Sequence, residues 1–186
     1  MAEKDVYLAS KSPRRKALLE QLGYRVTVIA GNAHTAGYFP GDEERLAGES
    51  PEAYVRRTAR TKFAEGLARR EALGLPAGAV LAADTVVSLG DEVLGKPADA
   101  EEAKAFLRRL SGRAHLVQTT VVAGTSLEDA EERTSTSSVV FRALSEGEID
   151  AYVATGEPFD KAGGYGIQGL AGVFVERIDG SFTGIM

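Results

Sequence analysis

Cysteine is absent from the 186 residues, so neither a disulfide framework nor a thiolate metal site can form. No apolar run approaches the length that spans a bilayer, and the opening Met1-Ala2-Glu3-Lys4-Asp5 has no apolar signal region. The expectation is a soluble, cytoplasmic protein with no membrane partner. Positive charge is in deficit: 22 Lys and Arg stand against 27 Asp and Glu, a net charge of −5. That balance argues against nucleic acid as a partner, which would need a broad basic surface. It still allows a compact anion held by a few clustered cations. Repeats and low-complexity tracts are missing too. No G-x-G-x-x-G follows the first apolar run and no Walker A sequence occurs, which excludes a Rossmann dinucleotide site and P-loop chemistry.

What is present begins with Val6-Tyr7-Leu8-Ala9, a short run with strand character. Ser12 then stands where a helix N-cap belongs, and Pro13 suits the first helical position, where a missing N–H costs nothing. The helix is expected to turn Ala17, Leu18 and Leu22 to an apolar side and to stop at Gly23. A strand that feeds a helix start leaves backbone N–H groups and the positive dipole end at one place. Ser10, Ser12, Arg14 and Arg15 stand at that place, a donor set suited to phosphate. The plain alternative is a capped surface helix with solvated arginines, and spacing alone does not choose.

Arg25–Ala30 reads as a second strand, 31–49 as a polar loop, and Ser50-Pro51 as the start of a helix to about Leu73. Tyr54, Val55, Ala59, Phe63 and Leu67 form its apolar stripe, with Lys62 beside them as an ordinary surface lysine. Ala79–Ser88 is the most apolar run and reads as a strand buried on both faces. Asp84 lies in its middle. A buried carboxylate is costly unless paired, metal-bound or facing a cleft. It is either a satisfied structural carboxylate or a general base or metal ligand; the second reading is preferred.

Gly90-Asp91 signals a hairpin that returns through Glu92–Leu94 to Gly95-Lys96-Pro97. Lys96 is either a phosphate contact or an exposed turn lysine. Asp99 with Glu102, and Ser145 with Glu148, read as capping boxes for helices that close at Gly112 and Gly156. His115–Ala123 and Thr134–Ala143 read as an antiparallel strand pair, with His115 structural. Glycines at 163, 164, 166 and 169 would let backbone approach a ligand, while Asp160, Lys161 and Gln168 add charge and an amide. A last hairpin is expected across Asp179-Gly180, pairing Ala171–Ile178 with Ser181–Ile185. The sum is an α/β fold: a mixed, largely antiparallel sheet with flanking helices in one domain, 1–186.

Four separated segments resemble the motifs of the Maf family of nucleotide pyrophosphatases. They are Ser10–Leu19, Ala83–Val87, Leu94–Pro97, and Asp160–Gly163 with Tyr165–Gly169. The resemblance implies a bent sheet and two lobes around a nucleotide cleft, similar to inosine triphosphatase-like folds. It implies hydrolysis of a nucleoside triphosphate to the monophosphate and pyrophosphate, assisted by a divalent cation (Mg²⁺, Mn²⁺ or Co²⁺). By the same resemblance Asp84 is the proton acceptor or a metal ligand. Arg14, Thr85 and Gln168 match positions of nucleotide selection. Ser10, Arg15, Lys62, Lys96 and Lys161 match polar positions of the cleft, with Asp160 beside them. The motif versions are similar to the branch acting on dTTP and UTP, and a homodimer is implied by likeness alone.

Two departures stand out. Ala33-His34-Thr35 occupies the place of an acidic pair, so His34 is a candidate metal ligand in its stead, favouring Mn²⁺, Co²⁺ or Zn²⁺. The sequence ends at Met186, where the family's pattern continues into a helix; a shortened C-terminus is the expectation. A nucleotide-binding regulator of cell division is the alternative from another class, and a purine-directed inosine or xanthosine triphosphatase is a third.

Overall fold

The computed structural model describes residues 4–30 and 45–186. Along the chain these form β1 (Lys4–Leu8), α1 (Pro13–Gln21), β2 (Tyr24–Val28), α2 (Pro51–Ala72), β3 (Val80–Leu89) and β4 (Glu92–Leu94). They are followed by α3 (Ala100–Leu110), β5 (Ala114–Gly124), β6 (Glu131–Phe141), α4 (Glu146–Ala154), β7 (Val175–Asp179) and α5 (Phe182–Ile185). Short 3₁₀ turns cover Glu157–Asp160, Ala162–Gly164 and Leu170–Phe174. The strands form one seven-stranded sheet in the order β2-β1-β3-β5-β6-β7, with β4 on β3.

The sheet is mixed. β1 pairs in parallel with β2 and β3, while β3–β4 and β6–β7 are antiparallel. Gln118 bonds Thr136 and Thr120 bonds Thr134, so partners advance along β5 as they retreat along β6. That opposite stepping marks an antiparallel hairpin. The α/β class and the largely antiparallel sheet expected from the sequence are therefore what the chain forms.

Local signals act as expected at several ends. Ser12 has extended backbone and its hydroxyl accepts the Arg15 N–H at 3.4 Å, with Pro13 opening α1. Ser145 and Glu148 make a complete capping box. Gly90 takes the left-handed φ of 62° that its two-residue turn requires. At α3 the box is incomplete: Asp99 accepts from Glu102 N, but Glu102 turns to the N–H of Ala98 instead.

Two expectations fail. α1 buries none of its residues, and Leu22 beyond its end is 73% exposed, so it has no buried apolar face among the described residues. The C-terminal hairpin does not form. Ala171 lies in a 3₁₀ turn, β7 pairs with β6, and Phe182–Ile185 is one helical turn. The reason is Ser181, whose hydroxyl accepts from Gly184 N at 3.0 Å while its own N–H is held by Ser137 Oγ. That cap nucleates a turn of helix where a returning strand would have needed a ladder.

The described chain falls into two compact units. Among the described residues the first comprises 4–30, 45–49, 53–84 and 120–134; the second comprises 50–52, 85–119 and 135–186. The first is built on Ala9, Ile29, Ala59, Phe63, Val80 and Val122. α2 packs so closely there that a Cβ on Gly66 would lie 2.7 Å from that of Ala9. The second unit has the larger core, with Leu107, Leu110, Phe141, Ile149 and Phe174 at its centre. Edge-to-face ring pairs join Phe141 to His115, Tyr165 and Phe174.

Candidate active site

In the first unit three elements converge on Asp84. β3 carries the carboxylate, α2 supplies Lys62 and Thr58, and α1 with the residues before it supplies Arg15 and Ser10. Lys62 Nζ donates to Asp84 Oδ1 at 2.8 Å, and Thr58 Oγ donates to Oδ2 at 2.6 Å. Both partners come from one face of α2, because residues four apart stack on successive turns. The ion pair is largely desolvated, with side chains 19% and 17% exposed. Such a pair adds little net stability, yet losing one partner strands the other at a cost of several kcal/mol.

Arg15 fixes the other side of this centre. Its guanidinium donates to the Ala83 carbonyl at 2.6 Å and to Ser10 Oγ at 3.2 Å. Burial pushes Arg15 below its usual pKa, the negative charge of Asp84 pulls it back up, and neighbouring Arg14 pushes it down. Arginine stays cationic through such shifts, so the guanidinium remains a charge beside Asp84. Ser10 Oγ also accepts from Ser12 N at 3.2 Å. The two serine hydroxyls thus satisfy N–H groups at the helix start that the sequence had left open for an anion. What they retain for an anion is the hydroxyl hydrogen. Arg14 is half-buried on the first turn of α1.

Spacing alone read Lys62 as a surface lysine, while the resemblance placed it at the cleft; it is the counter-ion of Asp84. Thr58 escaped notice altogether. Its only sequence signal is its position one helical turn before Lys62, and its residue is fully buried.

The second unit holds the remaining candidates. Thr85 Oγ shares a hydrogen bond with Thr119 Oγ at 2.8 Å. Lys96 is exposed on the turn after β4. That turn is tied to the glycine-rich segment, because Gly163 N donates to Gly95 O at 2.9 Å. Lys161 is only 14% exposed; its ammonium is 2.5 Å from Asp160 and donates to the Glu157 carbonyl at 2.8 Å. Gln168 is exposed, with Nε2 2.9 Å from Met186 Sδ.

The glycines of this segment answer to the protein's own side chains. A Cβ on Gly163 would meet Val87, on Gly166 the Lys161 stem, and on Gly169 the Glu157 carboxyl group. At these three positions the space a side chain would take is filled by the chain's own side chains. Glu157, also missed, is the organiser: its carboxylate accepts from Tyr152 OH and Leu170 N, both at 3.0 Å. His115 is structural as read, with Nε2 2.7 Å from Tyr165 OH, and burial lowers its pKa to about 4.

Residues 5–186 match the family model described as Maf-like protein. The chain belongs to that family. Among the Maf-like relatives, the dTTP/UTP pyrophosphatase of Chromobacterium violaceum is 47% identical over 184 residues, covering 97% of this chain and 87% of that protein. The dTTP/UTP pyrophosphatase of Aromatoleum aromaticum is 49% identical over 185 residues, covering 97% and 88%. A solved structure of the Staphylococcus aureus Ham1 protein aligns at 14% identity and a TM-score of 0.45, over 74% of this chain and 72% of that one.

The donor chemistry at Asp84 accommodates a hard divalent cation only in part. An ionised carboxylate offers about four lone-pair sites, and Lys62 and Thr58 occupy one on each oxygen. Among the described residues no group of three or more His, Asp or Glu could hold a metal by itself. This fits the habit of Mg²⁺, which binds through one or two carboxylates plus substrate phosphates. His34 lies outside the described residues. Among the described residues no helix is long and apolar enough to cross a membrane.

Proposed function

We propose that this Maf-like protein hydrolyses dTTP and UTP to the monophosphate and pyrophosphate. The observation that carries the reading is the carboxylate of Asp84, held in an orienting ion pair beside the half-buried cation Arg15. The names of its relatives support the substrate class.

Asp84 takes a proton from a water whose oxygen attacks the α-phosphorus, and the electron pair of the breaking P–O bond leaves with pyrophosphate. Arg14, Arg15 and the hydroxyls of Ser10 and Ser12 bind phosphate oxygens. Lys62 holds the carboxylate in place between turnovers. Lys96, Asp160 and Lys161 belong to the phosphate end in this reading, and Thr85 and Gln168 to base selection. A divalent cation, Mg²⁺, Mn²⁺ or Co²⁺, would be held by Asp84 together with triphosphate oxygens and would offset charge on the phosphates. One domain over 1–186, with two lobes, a cytoplasmic location and a homodimer complete the proposal.

Pyrophosphate release from a nucleotide panel with Mg²⁺ or Mn²⁺ tests it, with wild type beside Asp84→Asn. Release from dTTP and UTP that collapses in the variant is the expected result. A purine preference would point to the inosine or xanthosine class. Binding without release from any nucleotide would replace the enzyme by a nucleotide-binding regulator, which the relatives' names do not favour.

A further inference from the structure

We propose that Thr58 is a positioning residue for Asp84, a role that rests on the reading of Asp84 as the proton acceptor. Its hydroxyl carries a single hydrogen and has three acceptors in reach. These are Asp84 Oδ2 at 2.6 Å, the Tyr54 carbonyl at 3.0 Å and the Val55 carbonyl at 3.1 Å. A threonine inside a helix ordinarily returns its hydrogen to the carbonyl three or four residues back. Here the carboxylate is closer and charged, and charge-assisted bonds of this type are about twice as strong as neutral ones. The hydrogen therefore goes to Asp84.

The consequence is geometric. Lys62 grips Oδ1 through a point-charge ammonium on a four-carbon stem, which sets distance more than direction. The Thr58 grip sets direction as well. Thr58 is fully buried, its χ1 is stiff because it is β-branched, and its helix is held against Ala9 and against Val80 of β3 at Gly66. A grip on both oxygens from two successive turns of α2 fixes the plane of the carboxyl group. Only a fixed plane aims a lone pair at one water position. A misplacement near 1 Å can cost about a hundredfold in rate. Thr58 touches neither water nor nucleotide in this scheme; it acts through Asp84.

The test compares Thr58→Val, Thr58→Ser and Asp84→Asn, singly and with Thr58→Val added to Asp84→Asn, in dTTP pyrophosphate release. Valine keeps the shape and removes the hydroxyl; serine keeps the hydroxyl. The expected result is a fall in kcat of about 10- to 100-fold in Thr58→Val, with KM within about twofold, and recovery in Thr58→Ser. In the Asp84→Asn background Thr58→Val has no further effect, since there is no carboxylate left to aim. Wild-type kcat in Thr58→Val overturns the proposal. So does an equal loss in both backgrounds, or a failure of serine to restore turnover while its melting curve matches wild type. An Asp84→Asn enzyme that turns over like wild type would instead sink the catalytic reading of Asp84 itself.

Discussion

Lys62 on α2 and Asp84 on β3 stand 22 positions apart in the chain and 2.8 Å apart in space. Each offsets part of the other's cost of leaving water. Lys62→Met should therefore destabilise the fold by about 2–4 kcal/mol, the usual range for stranding one member of a desolvated pair reduced for the exposure that remains. Turnover should fall with it. Adding Asp84→Asn should restore part of the stability but none of the activity. Urea unfolding of the two single variants and the double variant measures this, and strictly additive losses would show the pair to be uncoupled.

Glycines 163 and 169 should respond differently to alanine. At Gly163 the backbone is left-handed, with φ 70°, and a Cβ would lie 2.8 Å from a methyl of Val87, itself stiff and buried. About 2–5 kcal/mol is expected there, from strain and overpacking together. At Gly169 the obstacle is the end of the Glu157 side chain, which can swing aside at the expense of its bonds to Tyr152 and Leu170. About 1–3 kcal/mol is expected. Thermal melts of both variants decide, and a larger loss at Gly169 would contradict the assignment.

His115 makes stability depend on pH. Burial lowers its pKa from the ordinary 6.5 to about 4 in the fold. Between those values the unfolded chain binds a proton that the folded chain refuses. The contribution is complete above pH 6.5 and disappears as pH falls toward 4, on the order of 3 kcal/mol. His115→Gln should lose this slope while keeping a partner for Tyr165 OH. Unfolding free energies at several pH values between 7 and 4.5 compare the two proteins. Parallel curves would remove His115 as the cause.

Divalent metal should matter to turnover more than to the resting fold. Asp84 belongs to no group of three or more His, Asp or Glu among the described residues that could hold a metal, so most oxygen ligands must come from the triphosphate. EDTA is expected to abolish pyrophosphate release while shifting the melting temperature of the nucleotide-free protein by less than about 1 °C, as linkage requires when the folded chain alone binds metal weakly. A drop of several degrees would reveal a resident metal site.

Local chemistry was legible wherever cause and effect lie within a few residues. Ser12 and Ser145 cap their helices, Gly90 turns its hairpin, and the apolar stripe of α2 is the buried face. Asp84 stood out because a carboxylate inside a β-branched run must be compensated by something. Sequence could not say by what, since Thr58, Lys62 and Arg15 meet it only through packing of α1 and α2 on the sheet. The same holds for Thr85 with Thr119, 34 positions on.

The C-terminal segment shows the reverse error. Asp179-Gly180 is a good turn between two apolar runs, and nothing local announces that Ser137, on another strand, will hold Ser181 for capping. At glycines 163, 166 and 169 sequence shows a missing side chain but not what fills the space. Composition, caps and turns were set by neighbours along the chain. The partners of Asp84 and the contents of those glycine spaces were decided by tertiary structure, because a buried charge and a missing Cβ are satisfied by whatever packing brings within a few ångströms.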